Sequence, residues 1–220
     1  MISSIRLEVV EAAKDYKYLL NRGYSQKTAL DTVTSRYGLT FVERTLLLRC
    51  VHSYLDSEVI RKKHVSGVAS SQLVIDGYNV FLTIHAVAEG MNVFLCDDGF
   101  VRDLRKSYRK GVTLNHLELV VETVNHALTE LRPAFVKVVL DKNVSYSARH
   151  ADRLRYLVKG AVDVVLAEKA DIELIGGGGV IASSDYVVVS RVPRVFDLAG
   201  YIVRTSYKDR LVNLASLIET

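Results

Sequence analysis

Short apolar runs that stop at an aspartate constrain this chain more than any other feature. Leu73-Val-Ile runs into Asp76 and breaks at Gly77. Met91 to Cys96 runs into Asp97-Asp98-Gly99, Phe135 to Leu140 ends at Asp141, and Val180 to Ala182 reaches Ser-Ser-Asp185. A continuous apolar run bounded by turn signals reads as a strand buried on both faces, as in a parallel sheet. Between the runs lie stretches with helical spacing: Asn79 to Ala88, Asn115 to Leu131, and Ser147 to Lys159. Strands alternating with helices predict βαβ units around a mainly parallel sheet. The right-handed crossover rule sets every strand's carboxyl end on one side. Asp76, Asp97, Asp98, Asp141 and Asp185 are therefore expected on one rim, where open α/β sheets place their chemistry.

Several carboxylates within a few ångströms repel one another and raise each other's pKa. A divalent cation is the simplest way to stabilise such a group. Oxygen ligands without clustered His or Cys favour Mg²⁺ or Mn²⁺ over zinc. A Mg²⁺ that keeps its waters suits hydrolysis of a phosphodiester. The plainer reading makes each Asp a helix cap or an arginine partner. Other chemistries fit less well. Gly176 to Gly179 form neither GxGxxG nor a phosphate loop ending in GK[ST]. Ser183-Ser184 is not in a nucleophile elbow, and the six histidines show no ligand spacing. A haloacid-dehalogenase phosphatase wants a second Asp where Tyr78 stands.

The N-terminal third reads differently. Residues 4–22 carry Val9, Ala12, Ala13 and Tyr16 at helical spacing. Ser25 can cap a second helix that Gly38 ends. Thr40 can cap a third, extending to Tyr54, with Glu43 at capping-box distance. The outline is that of a helix-turn-helix or any small bundle. A basic junction, Arg61 to His64, and a Ser/Gly-rich linker follow, so the expected units are residues 1–66 and 72–220. Residues 1–72 hold 11 Lys+Arg against 7 Asp+Glu, while the remainder is balanced at 18 of each. That asymmetry points to a polyanion-facing module, with Lys27, Arg36, Arg44 and Arg49 as phosphate contacts. Cys50 and Cys96 show no metal or disulfide-framework spacing, so a reduced, cytoplasmic protein is expected. No signal peptide is read at the N-terminus, and no apolar run approaches the length of a membrane span.

The motifs Val-Ile-Asp76-Gly-Tyr-Asn-Val and Ser-Ser-Asp185 resemble those of the PIN/NYN-like nuclease superfamily. With Leu-Cys-Asp97-Asp98-Gly-Phe-Val-Arg-Asp, Leu-Asp141-Lys-Asn-Val and Val-Phe-Asp197-Leu-Ala-Gly, the order resembles a largely archaeal family named for domain of unknown function 434. Its C-terminal half is PIN-like, and the resemblance covers nearly the whole chain. It implies a three-layer PIN-like fold with an acidic pocket for Mg²⁺ or Mn²⁺, cutting RNA or flap DNA. Carried over by motif, Asp76 and Asp185 are metal ligands and Asp171, in Ala-Asp-Ile, is a third carboxylate. Asp98 with Asp97 is an intermediate acid, and Asp141 is shared with the closer family. One departure is Ser147-Ala148, where the closer family tends to have Ser-Gly.

The resulting expectation is a metal-dependent ribonuclease with Asp76, Asp98, Asp171 and Asp185 as catalytic carboxylates. Asn79, Arg102, Arg105, Lys106, Arg109, Arg149 and Arg153 would contact nucleic acid, and Tyr108 would stack on a base. Two alternatives stand beside it: a non-catalytic RNA- or nucleotide-binding protein on the same fold, and a DNA-binding regulator acting through the N-terminal helices, with homodimer formation left open.

Overall fold

The computed structural model describes residues 5–105 and 114–218. Its centre is a four-stranded, wholly parallel sheet of β1 (Gln72–Asp76), β4 (Phe135–Asp141), β5 (Val162–Ala167) and β6 (Val180–Ala182), in the order β5-β4-β1-β6. The period of two along each strand divides the core. Leu73, Ile75, Val138 and Leu140 pack against α5 (Gly77–Ala88), α6 (Leu114–Leu131), α7 (Ser147–Leu157) and α10 (Leu198–Ser206). Val74, Val139 and Ile181 face the other way, toward α8 (Ala170–Gly176) and α9 (Tyr186–Val189). Helices thus cover both faces of a buried sheet. Gly77 permits the β1–α5 turn to press against β4. A Cβ there would lie 2.5 Å from Leu140 Cδ2 and 3.2 Å from the Val139 carbonyl oxygen.

β2 (Val93–Leu95) belongs elsewhere. It pairs with β3 (Val101–Arg102) and with β7 (Leu211–Asn213) in a separate three-stranded sheet. This departs from the sequence reading, which places its terminal Asp97-Asp98 on the common rim. The crossover rule orders strands only within one sheet.

The N-terminal helices are α1 (Leu7–Asn21), α2 (Gln26–Tyr37), α3 (Phe41–Cys50) and α4 (Tyr54–Lys63). Ser25 caps α2, Gly38 ends it in the left-handed region, and Thr40 with Glu43 forms the expected capping box. The third helix does not continue to Tyr54. The chain leaves it at Val51, the His52 N–H donates to Asp97, and Ser53 starts α4 by accepting from Asp56 N. Residues 61–64 close α4 and run into the edge of the main sheet. Val65 N donates to the Val195 carbonyl, and Val195 N donates to the Lys63 carbonyl. Residues 186–189 form the helical turn α9, because Asp185 caps it by accepting from Val187 N. The core of the N-terminal helices is not self-contained. Tyr16, Leu30, Leu46 and Leu47 form one cluster with Phe94 and Cys96 around β2 and with Leu214 of α11 (Leu214–Ile218).

Cys50 and Cys96 pair as a disulfide across this junction, both fully buried, with Cα atoms 4.4 Å apart. The pairing corrects the reading of two unrelated thiols, which sequence distance alone concealed. It does not fix the compartment, since intracellular disulfides occur in hyperthermophilic archaea. Closing a loop between residues 46 apart restricts the unfolded chain by roughly 4 kcal/mol. Reduction is therefore expected to lower Tm by about 10 °C in paired scans with and without a phosphine reductant. Identical midpoints, with both thiols titratable in unreduced denatured protein, would contradict the pairing. Among the described residues no helix is long and apolar enough to cross a membrane.

Candidate functional site

A cleft of about 330 Å³ opens at the carboxyl end of the four-stranded sheet, and four aspartates line it. Asp76 ends β1, Asp141 ends β4, Asp171 lies in the first turn of α8 after β5, and Asp185 follows β6. The strand order arranges them along the rim as Asp171, Asp141, Asp76, Asp185. Four consecutive strands each deliver one carboxylate, as alternating strands and helices dictate.

Asp76 is half-buried at the end of β1. It occupies the N-cap position of α5 without a side-chain capping bond. Instead its Oδ2 accepts from the Ser183 hydroxyl at 2.8 Å, and Ser183 Oγ in turn accepts from Asp185 N at 3.1 Å. Burial pushes the Asp76 carboxyl up to about 7. The Ser183 hydroxyl and the nearby Asn79 N–H oppose the rise, and the Asp185 and Asp141 charges add to it. Asp141 Oδ1 accepts from both the backbone and side-chain amides of Asn143, which fixes its direction. Asn79 is buried, and its Oδ1 accepts from the Ser184 N–H and hydroxyl at 2.8 and 3.0 Å. It lines the cleft as a tie between α5 and the β6 loop, not as an exposed phosphate contact.

The donors are all carboxylate oxygens, and two like charges add to the raised pKa of the half-buried Asp76. That set fits a hard divalent cation. No three rim aspartates bring their oxygens within 4.8 Å of one another; among the described residues only a His52 ring nitrogen with the Asp97 and Asp98 carboxylates forms such a group.

Asp97 and Asp98 stand apart from this rim, correcting their expected place in it. Asp97 is fully buried, with Lys17 Nζ at 2.6 Å and the His52 ring Nδ1 at 2.7 Å. Arg102 grips Asp98 through both terminal nitrogens, at 2.8 and 2.5 Å. Burial pushes the Asp98 carboxyl up, but the Arg102 charge and hydrogen bonds, with His52 and the Phe100 N–H, outweigh it and hold the pKa below the usual range. Lys17 and Arg102 thus already balance the two carboxylates. These groups form a clamp between the N-terminal helices and the second sheet. The clamp also touches the rim: Arg102 Nε donates to the Ser184 carbonyl at 2.7 Å, and the His52 ring stacks on Tyr186, centroids 5.0 Å apart.

The expected nucleic-acid residues divide. Arg102 is 2% exposed and spent on Asp98 and Ser184, so it grips no phosphate. Arg105 is held to α5 through His85 and Glu89. Lys106, Tyr108 and Arg109 lie outside the described residues. Arg149 and Arg153 project from α7. In the N-terminal helices Arg36 faces Asp15, Arg44 pairs with Asp31, and Arg49 donates to the Asp103 carbonyl. The sequence reading missed Ser183, Lys17 and His52. Ser183 carries a local signal, a hydroxyl one residue beyond a strand that pairs with β1. Lys17 and His52 carry none, because their partner is distant in the chain.

Residues 65–201, more than half of the chain, match the family described as Domain of unknown function (DUF5616). The chain belongs to this family. All four rim aspartates of this DUF5616 chain fall inside the matched stretch. Residues 8–63 match Protein of unknown function (DUF434), in agreement with the first part of the resemblance read from sequence. The "Uncharacterized protein MJ0935" of Methanocaldococcus jannaschii is 29% identical over 199 residues, covering 87% of this chain and 95% of that protein. No solved structure matches the chain.

Proposed function

We propose that this DUF5616 chain is a PIN-like, divalent-metal-dependent nuclease acting on RNA. The observation that carries the reading is the convergence of Asp76, Asp141, Asp171 and Asp185 from four consecutive strands of a parallel sheet onto one cleft. A Mg²⁺ or Mn²⁺ ion there would polarise the scissile phosphate and lower the pKa of a bound water. Asp76 would hold it with Asp141 and Asp185 of the adjoining strands, the charges that already act on it, while Asp171 adds negative charge from the next strand along the rim. Ser183 keeps Asp76 turned into the cleft, and Asn79 keeps the Ser183–Asp185 loop beside it.

The test incubates purified protein with labelled RNAs in Mn²⁺ or EDTA, beside Asp76→Asn. The expected result is manganese-dependent cleavage that falls at least a hundredfold in the variant. Cleavage that persists in Asp76→Asn contradicts the assignment. The open spacing of the rim carboxylates favours a second reading, an RNA-binding protein that does not cut. Its mark would be EDTA-resistant RNA retention without products.

A further inference from the structure

The outer face of α7 carries an ordered series of aromatic and basic side chains that begins at the acidic cleft. Arg149, Arg153 and Tyr156 recur at spacings of four and three, which stacks them on one side of the helix, and Tyr146 precedes them at its N-cap. The opposite side, with His150, Ala151 and Leu154, is buried in the core. The two rings are 67% and 79% exposed, far more than packing requires of a tyrosine. Each is paired with a guanidinium. Arg149 Cζ lies 5.6 Å from the Tyr146 ring centroid, and Arg153 Cζ lies 5.5 Å from that of Tyr156. Tyr146 sits at φ 64° at the N-cap of α7, two residues beyond Val144, which lines the cleft. The series therefore runs outward from the cleft for about 15 Å at the helical rise.

We infer that this face is the track for a single strand of RNA entering the cleft. The inference rests on the nuclease reading for its direction, though not for its chemistry. Exposed rings stack unpaired bases whatever their sequence, and arginines beside them neutralise the backbone. A duplex hides its base faces and cannot use the rings. Arg153 already has an acidic neighbour in Glu118, and on the same helix Arg155 pairs with Asp152. Exposed pairs of this kind contribute at most about 1 kcal/mol, so a phosphate can compete for the guanidinium.

Binding is measured by anisotropy of a labelled twelve-nucleotide RNA in EDTA, so that no cleavage enters the readout. Tyr146→Ala and Tyr156→Ala are each expected to weaken binding about 5- to 100-fold. Arg149→Ala with Arg153→Ala should flatten the slope of log affinity against log salt by about 1.4. Tyr24→Ala, an exposed tyrosine between α1 and α2, serves as the control and should bind like wild type. Unchanged binding in both tyrosine variants overturns the inference. So does a duplex bound as tightly as the single strand, or single-stranded DNA bound more tightly than RNA. Normal cleavage with unaffected binding removes the track and leaves the nuclease. Lost binding in a protein that never cuts removes the nuclease and leaves the track.

Discussion

Asp76→Asn is expected to stabilise the cation-free protein at high pH while lowering the proposed RNA cleavage at least a hundredfold. The folded-state pKa of Asp76 is raised from 3.8 to about 7. The folded chain therefore binds this proton more tightly than the unfolded chain does. Its contribution is fully present below about pH 4, is lost as pH rises, and levels off above about pH 7. A shift of this size corresponds to about 4 kcal/mol, an upper value because water in the cleft screens the charge. Asparagine is neutral throughout and still accepts from Ser183. In EDTA the variant should exceed wild type by up to about 4 kcal/mol at pH 8 and by about 1 kcal/mol at pH 4.5, read from urea melts. Saturating Mn²⁺ should shrink the gap at pH 8, since a cation stabilises only the carboxylate form. A difference that does not change with pH would sink this account of Asp76.

Arg102→Ala should be among the most damaging single changes in the chain. It strips the buried Asp98 of a bidentate partner and the Ser184 carbonyl of a donor. Removing one member of a buried ion pair costs about 3–5 kcal/mol, because the other charge remains buried without compensation. For a domain of this size Tm should fall by roughly 10 °C or more. A replacement of an exposed phosphate contact would leave Tm near wild type and change only RNA affinity. A melt within about 2 °C of wild type, with weakened RNA binding, would restore Arg102 to the nucleic-acid surface and contradict its buried role.

The difference between these two residues shows what could be read from sequence. Asp76 and Asp141 end strands of one parallel sheet and Asp185 follows a third, and the local pattern of apolar run, carboxylate and turn locates each without knowledge of strand order. Asp171 came from motif resemblance, yet it lies in the same cleft because β5 joins the same sheet. Asp97 and Asp98 follow an equally apolar run. Their strand pairs with residues 211–213, and nothing local encodes that choice. Arg102 looks like one basic residue in a basic loop until Asp98 and Ser184 are found around it. The caps at Ser25 and Thr40 were legible because both partners lie within four residues. The disulfide and the Lys17–Asp97 contact were not, because they span 46 and 80 positions.

The central claim is that the rim aspartates, not the buried clamp, form the cation site. Mn²⁺ binding followed by electron paramagnetic resonance tests it directly, using wild type, Asp76→Asn, and His52→Gln, which alters the clamp. The account predicts saturable Mn²⁺ binding by wild type and His52→Gln, and its loss in a folded Asp76→Asn. Binding that survives in Asp76→Asn and disappears in His52→Gln would place the ion at Asp97 and Asp98 and contradict the account, as would no binding by wild type.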